Sequence, residues 1–330
     1  MDRFQIKHTL ARLRTRAKWP LCHRIELFFR GSGHVDPKNN IIISGLPRGG
    51  TTWIAEVMET ISDSLLLWEP LNVFTLAETT DLEFSWRQYI PEHAQWPEAF
   101  FFFSELFHGK RIHPLYFRKW DFPLKAKRRL LIKFCRANRL LPWLVTNFRL
   151  KPPVYLVRHP CAVVSSQLRY GAWTQIKPSV MFSDHTRYGK EFYEPYRRIL
   201  ARLSSTEELL TALWCLDNII PLRHRDNNIK WTTVSYEGLL LRGEEELRRI
   251  FKRLEIEIPL KTMHRLSHPS SETKHGSPLL CGGDQLSGWR SHLNSEQIAM
   301  ILHTLEDFEM TDIYDDGLEP KYERLHSTFG

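Results

Sequence analysis

The stretch Ile41-Ile42-Ile43-Ser44-Gly45-Leu46-Pro47-Arg48-Gly49-Gly50-Thr51-Thr52-Trp53 decides the fold. Three consecutive β-branched residues read as a buried strand. Ile54, Val57, Met58 and Ile61 follow at i, i+3, i+4 and i+7, the apolar stripe of a helix. Between them lies a glycine turn. Strand, glycine turn and helix N-terminus form a cradle for a phosphate-like anion, because free backbone N–H groups and the positive helix end converge there. Glycine lets the main chain approach the anion, and the Thr51 and Thr52 hydroxyls add donors. Gly45 and Gly50 match the spacing of a nucleoside-triphosphate loop, G-x-x-x-x-G-K-[ST], but Thr51 stands where that loop has lysine. The cation sits at Arg48 instead, and no clear metal-holding carboxylate partner is seen. A phosphate-bearing donor other than ATP is expected.

A second strand-to-helix passage carries matching chemistry. Pro153 to Val157 reads as a strand, and Arg158-His159-Pro160-Cys161-Ala162-Val163-Val164-Ser165-Ser166 leaves it into a helix. A guanidinium followed by a hydroxyl in the first helical turns suits a dianionic phosphate. Further strands read at 41–45, 65–68, 130–134 and 229–234, alternating with helical patterns that include 206–220, with a Ser205–Glu208 capping box, and a helix after Asn294. The fold expected is α/β, a P-loop-NTPase-like central parallel sheet with helices on both faces.

The pair P-R-x-G-T-T-W and V-R-x-P-x-x-V-x-x-S, in that order, resembles the sulfotransferases that use 3′-phosphoadenosine 5′-phosphosulfate (PAPS). The resemblance spans most of residues 40–310. It implies that Arg48, Gly49, Gly50, Thr51, Thr52 and Trp53 surround the 5′-phosphosulfate, while Arg158 and Ser166 hold the 3′-phosphate. Ser235-Tyr236-Glu237-Gly238-Leu239 is similar to the family's Y-E-D-L turn, which puts Tyr236 near the adenine, opposite Trp53. Lys274-His275-Gly276 stands for the basic loop over the 3′-phosphate, and Gly288-Trp289-Arg290 for the C-terminal G-x-W-[KR] element. Lys133, delivered by the 130–134 strand, is the expected second cation at the transferred group.

Phenol and steroid members carry a histidine two residues after that lysine; here the position is Cys135. Carbohydrate and tyrosylprotein members use a glutamate after the first helix, and the match to them is closer. Glu69, in Leu67-Trp68-Glu69-Pro70, is therefore the expected general base, with His108 and His113 in reserve. The donor implied is PAPS with no metal required. Two rivals stay open: a P-loop small-molecule kinase, and a nucleotide-binding relative without turnover.

The chain has 330 residues, 42% hydrophobic and 25% charged, with no internal repeat or low-complexity linker. That favours a basic N-terminal extension over 1–40 and one domain over 41–330. Residues 72–128, rich in aromatics, are the expected acceptor wall or lid, favouring a small-molecule, lipid or carbohydrate hydroxyl acceptor with an apolar part. The net charge of +8 suits an anionic donor, and no zinc spacing or nucleic-acid motif accompanies it. The N-terminal basic stretch, Lys7 to Arg30, is a candidate for peripheral membrane contact; oligomeric state is not legible. Five scattered cysteines and no transmembrane-length apolar run lead to an expected cytoplasmic setting, although Golgi-type members of that family carry an anchor.

Overall fold

The computed structural model describes residues 18, 20–28, 35–72, 82, 84–118, 127–171, 182, 185–273 and 284–326. Five parallel strands form one sheet: β1 (Ile41–Gly45), β2 (Ser64–Trp68), β3 (Arg129–Phe134), β4 (Val154–Val157) and β5 (Thr232–Ser235), in the spatial order β2-β3-β1-β4-β5. β1 is central. It pairs Ile42 with Ile132 on one side and Ser44 with Tyr155 on the other. Every residue of β1 and β4 is buried, as a sheet covered on both faces requires.

The alternation of strand side chains builds the two layers. Ile41, Ile43, Val154 and Leu156 face α1 (Thr51–Met58), together with α6 (Tyr236–Leu241) and α7 (Gly243–Leu254). Ile42, Leu67 and Ile132 face the other way, onto α2 (Pro97–Phe107) and α3 (Leu141–Asn147). Tyr155 and Val157 on that second face meet α5 (Thr206–Arg223). Ile54, Val57 and Met58 of α1 are wholly buried, each stabilising by roughly 1.5–3 kcal/mol relative to exposure. The α/β architecture expected from the sequence, with helices on both faces, is observed.

The capping box at α5 is present: the Glu208 amide donates to Ser205 Oγ, and the Ser205 amide to the Glu208 carboxylate. The helix after Asn294, α9 (Ser295–Asp307), is capped by Asn294 with Gln297, and buries Ile301 and Leu305. Between them in sequence lies the short α8 (Lys261–Leu266).

One strand is shorter than read. The expected 229–234 element begins only at Thr232, whose amide opens the ladder by donating to Pro153 C=O. Ile229 and Lys230 both donate their amides to Asp226 C=O, and Asn228 is left-handed at φ 58°, so the chain is still turning there. The Y-E-G-L segment is likewise not a turn but the start of α6, capped by Ser235, which accepts from Gly238 N–H.

The 72–128 segment enters the core where it is described. Phe102, Phe103, Leu106 and Phe107 of α2 are buried, while Phe101 is exposed and Phe100 stacks on Phe148 at 4.9 Å. From the extension, Cys22 and Ile25 pack into the same cluster. Cys22, Cys135, Cys161 and Cys215 are buried free thiols; Cys281 lies outside the described residues. No helix among the described residues is long and apolar enough to cross a membrane.

Candidate functional site

The carboxyl ends of β1, β4 and β5 meet around one cavity of about 700 Å³, within the range of nucleotide-sized ligand pockets. Arg48, Gly50, Thr51, Thr52 and Trp53 line it from the first motif, Arg158 and Ser166 from the second, and Tyr236 from α6. Residues separated by almost 190 positions in the chain thus face one space, and α/β sheets bind ligands at this carboxyl edge.

The cradle is built by two departures from ordinary backbone. Gly50 caps α1 at φ 96°, and a Cβ there would sit 2.5 Å from the Tyr236 ring. Glycine is required on both counts. A Cβ on Gly45 would lie 2.5 Å from Leu156 C=O, so the turn could not approach β4 with any other residue. Arg48 is left-handed at φ 70° although it has a side chain, which throws its guanidinium across the turn. The first intrahelical bond runs from Ile54 N–H to Gly50 C=O, which leaves the amides at the head of α1 directed at the cavity.

The two motifs touch. Arg48 Nε donates to Ser166 Oγ at 3.0 Å, and Arg158 Nη1 donates to Arg48 C=O at 3.2 Å. Arg158 also lies over the Tyr236 ring, 4.1 Å from its centroid, and its buried Nε has no hydrogen-bond partner among the described residues. Arg169 and Tyr170, one turn beyond Ser166 on α4 (Pro160–Tyr170), complete this wall. None of the ion pairs among the described residues uses Arg48, Arg158 or Arg169. Glu272 on the far side is engaged by Arg118 instead. Burial and the neighbouring Arg158 and Arg169 charges push the Arg48 guanidinium below its ordinary range. The site therefore holds surplus positive charge with donors unspent, the electrostatic form of an anion pocket.

Trp53 and Tyr236 meet edge to face at 5.3 Å. The Trp53 indole N–H is shared between Leu266 C=O and His268 C=O, both at 3.1 Å, which ties the segment after α8 to the head of α1. Glu56, one turn later on α1, fixes the same segment by accepting from the Ser271 amide at 3.1 Å, from its hydroxyl, and from Arg265. The sequence contains no motif that marks 263–273 as a cavity wall. Arg169 and Tyr170 did carry a signal, the i+3 and i+4 spacing from Ser166 on a helix.

Glu69 and Lys133 lie together beside the cavity rather than on its lining. Lys133 Nζ donates to Glu69 Oε1, the Cys135 amide donates to Glu69 Oε2 at 2.9 Å, and Arg136 stands 3.6 Å away. Glu69 pairs with these groups and not with Arg48. Burial opposes its charge, but the Lys133 and Arg136 charges, with hydrogen bonds from the Cys135 thiol and Lys133, outweigh that and hold the carboxyl below the usual carboxylate range. Burial likewise opposes the Lys133 charge, yet Cys135 and Glu69 raise the ammonium above its ordinary value. Cys135 Sγ is 3.2 Å from Lys133 Nζ and 3.3 Å from Thr51 Oγ1, so this cluster abuts the cradle through Thr51. Gly49 lies behind the turn, its amide donating to Leu46 C=O.

His108 and His113 do not line the cavity. His108 Nδ1 contacts Ser104 C=O at the end of α2, and the buried His113 accepts from the Leu115 amide. Trp289 lines the cavity and stacks on His159 at 5.0 Å. Lys274 lies outside the described residues. Away from the cavity, Glu92, His224 and Asp226 bring ligand-type atoms within 4.8 Å of one another. Lys230, 2.8 Å from Asp226, and Arg225, 3.6 Å from Glu92, already answer that charge.

No protein-family model and no curated protein matches the sequence. Among solved structures, the chain is similar to the sulfotransferase domain of the olefin synthase of Synechococcus PCC 7002, at 18% identity over 84% of this chain and 95% of that one, TM-score 0.43. It is similar also to mouse sulfotransferase SULT7A1 complexed with PAP, at 14% identity over 84% of this chain and 86% of that one, TM-score 0.43.

Proposed function

We propose that this chain is a sulfotransferase that moves a sulfuryl group from PAPS to an acceptor hydroxyl by in-line displacement. The observation that carries the reading is the surplus of arginines from two separate motifs around one glycine cradle. Arg158, with an unspent buried donor and Ser166 beside it, suits the 3′-phosphate; the head of α1 and Arg48 suit the 5′ end. Trp53 and Tyr236 supply aromatic surface for the adenine. The donor, when bound, supplies an activated sulfuryl group whose leaving oxygen gains charge. Arg48, the Gly50–Thr52 amides and Lys133 stabilise that charge, and Glu69 takes the acceptor proton. Held ionised by Lys133 and Arg136, Glu69 is ready to accept a proton across the neutral range.

The kinase alternative is weakened by Thr51 at the lysine position and by the lack of any use for Arg158 with Ser166 in ATP. Calorimetric titration with adenosine 3′,5′-bisphosphate and with ATP and Mg²⁺ separates the two: the bisphosphate binds and ATP does not. Labelled-donor turnover against a library of hydroxyl compounds distinguishes the enzyme from a binding-only relative. Preference for ATP would overturn the assignment.

A further inference from the structure

A second group of cations lies beyond Thr51, at the carboxyl end of β3, and it is not part of the donor cavity. Arg87, Arg136 and Arg139 join Lys133 there, against two carboxylates, Glu69 and Asp217. Asp217 is shared: Arg87 Nη1 donates to one oxygen and Arg139 Nε to the other at 2.7 Å. Glu69 likewise lies between two cations, with Lys133 donating to Oε1 and Arg136 in ion-pair range of Oε2 at 3.6 Å. Among the described residues, four cations thus face two anions in a site where Arg87, Arg139 and Lys133 are each 3% exposed or less.

Hydrogen bonds do not make up the difference. Arg87 Nε and Nη2, Arg136 Nε and Arg139 Nη2 are all buried without an acceptor among the described residues. Charged donors so placed destabilise a fold unless a ligand uses them. Arg136 and Arg87 both approach the half-buried Trp86 ring, at 5.9 and 5.1 Å, and Arg136 keeps 17% of its side chain open. Arg136 is the cation that an incoming molecule meets first. Arg87 stands behind it, held by Asp217 and by its contact with Cys135 C=O at 3.4 Å.

Resting on the sulfuryl-transfer reading, we propose that the acceptor is itself an anion, a hydroxyl compound bearing a carboxylate or sulfonate-type oxyanion that seats against Arg136 and Arg87 beside Trp86. The oxyanion balances the local charge and aims the hydroxyl at Glu69. There is a second consequence. An anion on Arg136 draws that guanidinium from Glu69, removing one of the charges that depress the carboxyl, so acceptor binding strengthens the base that it needs.

The test is calorimetry on protein loaded with adenosine 3′,5′-bisphosphate, using matched probes. These are 4-hydroxybenzoate and 4-hydroxybenzenesulfonate against neutral 4-hydroxybenzamide, and glucuronate against glucose. The anions are expected to bind roughly tenfold tighter than their neutral partners. Arg136→Gln should erase the preference, Arg136→Lys should restore most of it, and both should bind the bisphosphate as the parent does. Equal binding of anionic and neutral probes, no binding of any probe, or a preference that survives Arg136→Gln overturns the proposal. Failure of the bisphosphate to bind would instead count against the sulfotransferase reading. The Arg136-dependent part of the same titration on nucleotide-free protein then still decides the anion site.

Discussion

Replacing Arg158 with alanine isolates the 3′-phosphate assignment from the rest of the cavity. In the protein without nucleotide, Arg158 makes one long hydrogen bond, 3.2 Å to Arg48 C=O, and stacks on Tyr236. Its Nε is buried and unpartnered, so little hydrogen bonding is lost from the folded protein itself when the side chain is removed. With a 3′-phosphate present, the same side chain would offer charge-assisted bonds in a partly desolvated pocket. A hydrogen bond to a charged group contributes about 1.5–3 kcal/mol. Arg48 and Arg169 remain and screen part of the loss, so we take roughly 2–3 kcal/mol, a factor of about 30–150 in Kd at 1.4 kcal/mol per decade.

The assay is calorimetric titration with two nucleotides. Adenosine 3′,5′-bisphosphate should lose that factor, whereas 5′-AMP, which lacks the 3′ group, should change by less than about twofold. The melting temperature should hold, because the side chain removed carried an unsatisfied donor. Equal losses for both nucleotides would place Arg158 at the 5′ end, or would mean that it only supports the Arg48 turn. Either outcome refutes the assignment.

Glu69→Gln keeps the shape and an acceptor for the Cys135 amide but removes basicity; donor affinity should persist while turnover falls roughly 10²–10⁴-fold. His108→Ala and His113→Ala should be mild in the same assay, and a dead histidine mutant beside an active Glu69→Gln would make the base an imidazole. Because Glu69 is held below the ordinary carboxylate range, its contribution to stability is present above about pH 4.3 and is lost as pH falls through the lower folded value; the acid limb of the pH–rate profile should lie correspondingly low. His159 acts in the same sense at higher pH: burial pushes it down to about 4, so the unfolded chain binds the extra proton between pH 6.5 and 4. Stability should fall across that window by up to about 3 kcal/mol, and His159→Asn, which can still cap α4, should flatten the decline in chemical denaturation. Glu56→Ala should release the segment 266–273, seen as faster amide exchange there, and weaken the bisphosphate by about 1–2 kcal/mol; unchanged exchange would show that Trp53 alone suffices.

The sheet was legible because its strands are short runs of Ile, Val and Leu bounded by glycine, proline or charge, and β1, β3 and β4 begin within one residue of where the pattern puts them. The exception is instructive. The segment 229–234, with Ile229, Trp231 and Val234, reads as one strand, but Ile229 is 55% exposed and its amide closes a turn on Asp226. Apolar character alone did not separate a turn residue from a strand. What decided it was the hydrogen-bonding of Asn228, whose side chain accepts from the Thr233 amide while its backbone turns left-handed. The four phenylalanines from Phe100 divide between core and surface for the simpler reason that a helix has only one buried side.

The site was legible in proportion to how much of it is local. Arg48, Gly50 and the threonines sit on a strand-turn-helix unit whose spacing fixes their directions, and Arg158 and Ser166 sit on a second one. That Arg48 reaches Ser166 follows only from β4 lying beside β1, a tertiary fact with no trace in either motif. The same limit hid the partners of Glu69. Its position after β2 was readable, but the sequence did not show which cations would meet it. In the sheet β3 intervenes between β2 and β1, so the cation that Glu69 meets must come from β3, and Trp68 is registered against Lys133. Strand order therefore assigns Arg48 to the anion cradle and Lys133 to the carboxylate. The chemistry proposed here depends on that separation, because a carboxylate paired with Arg48 would cancel the charge the cradle needs.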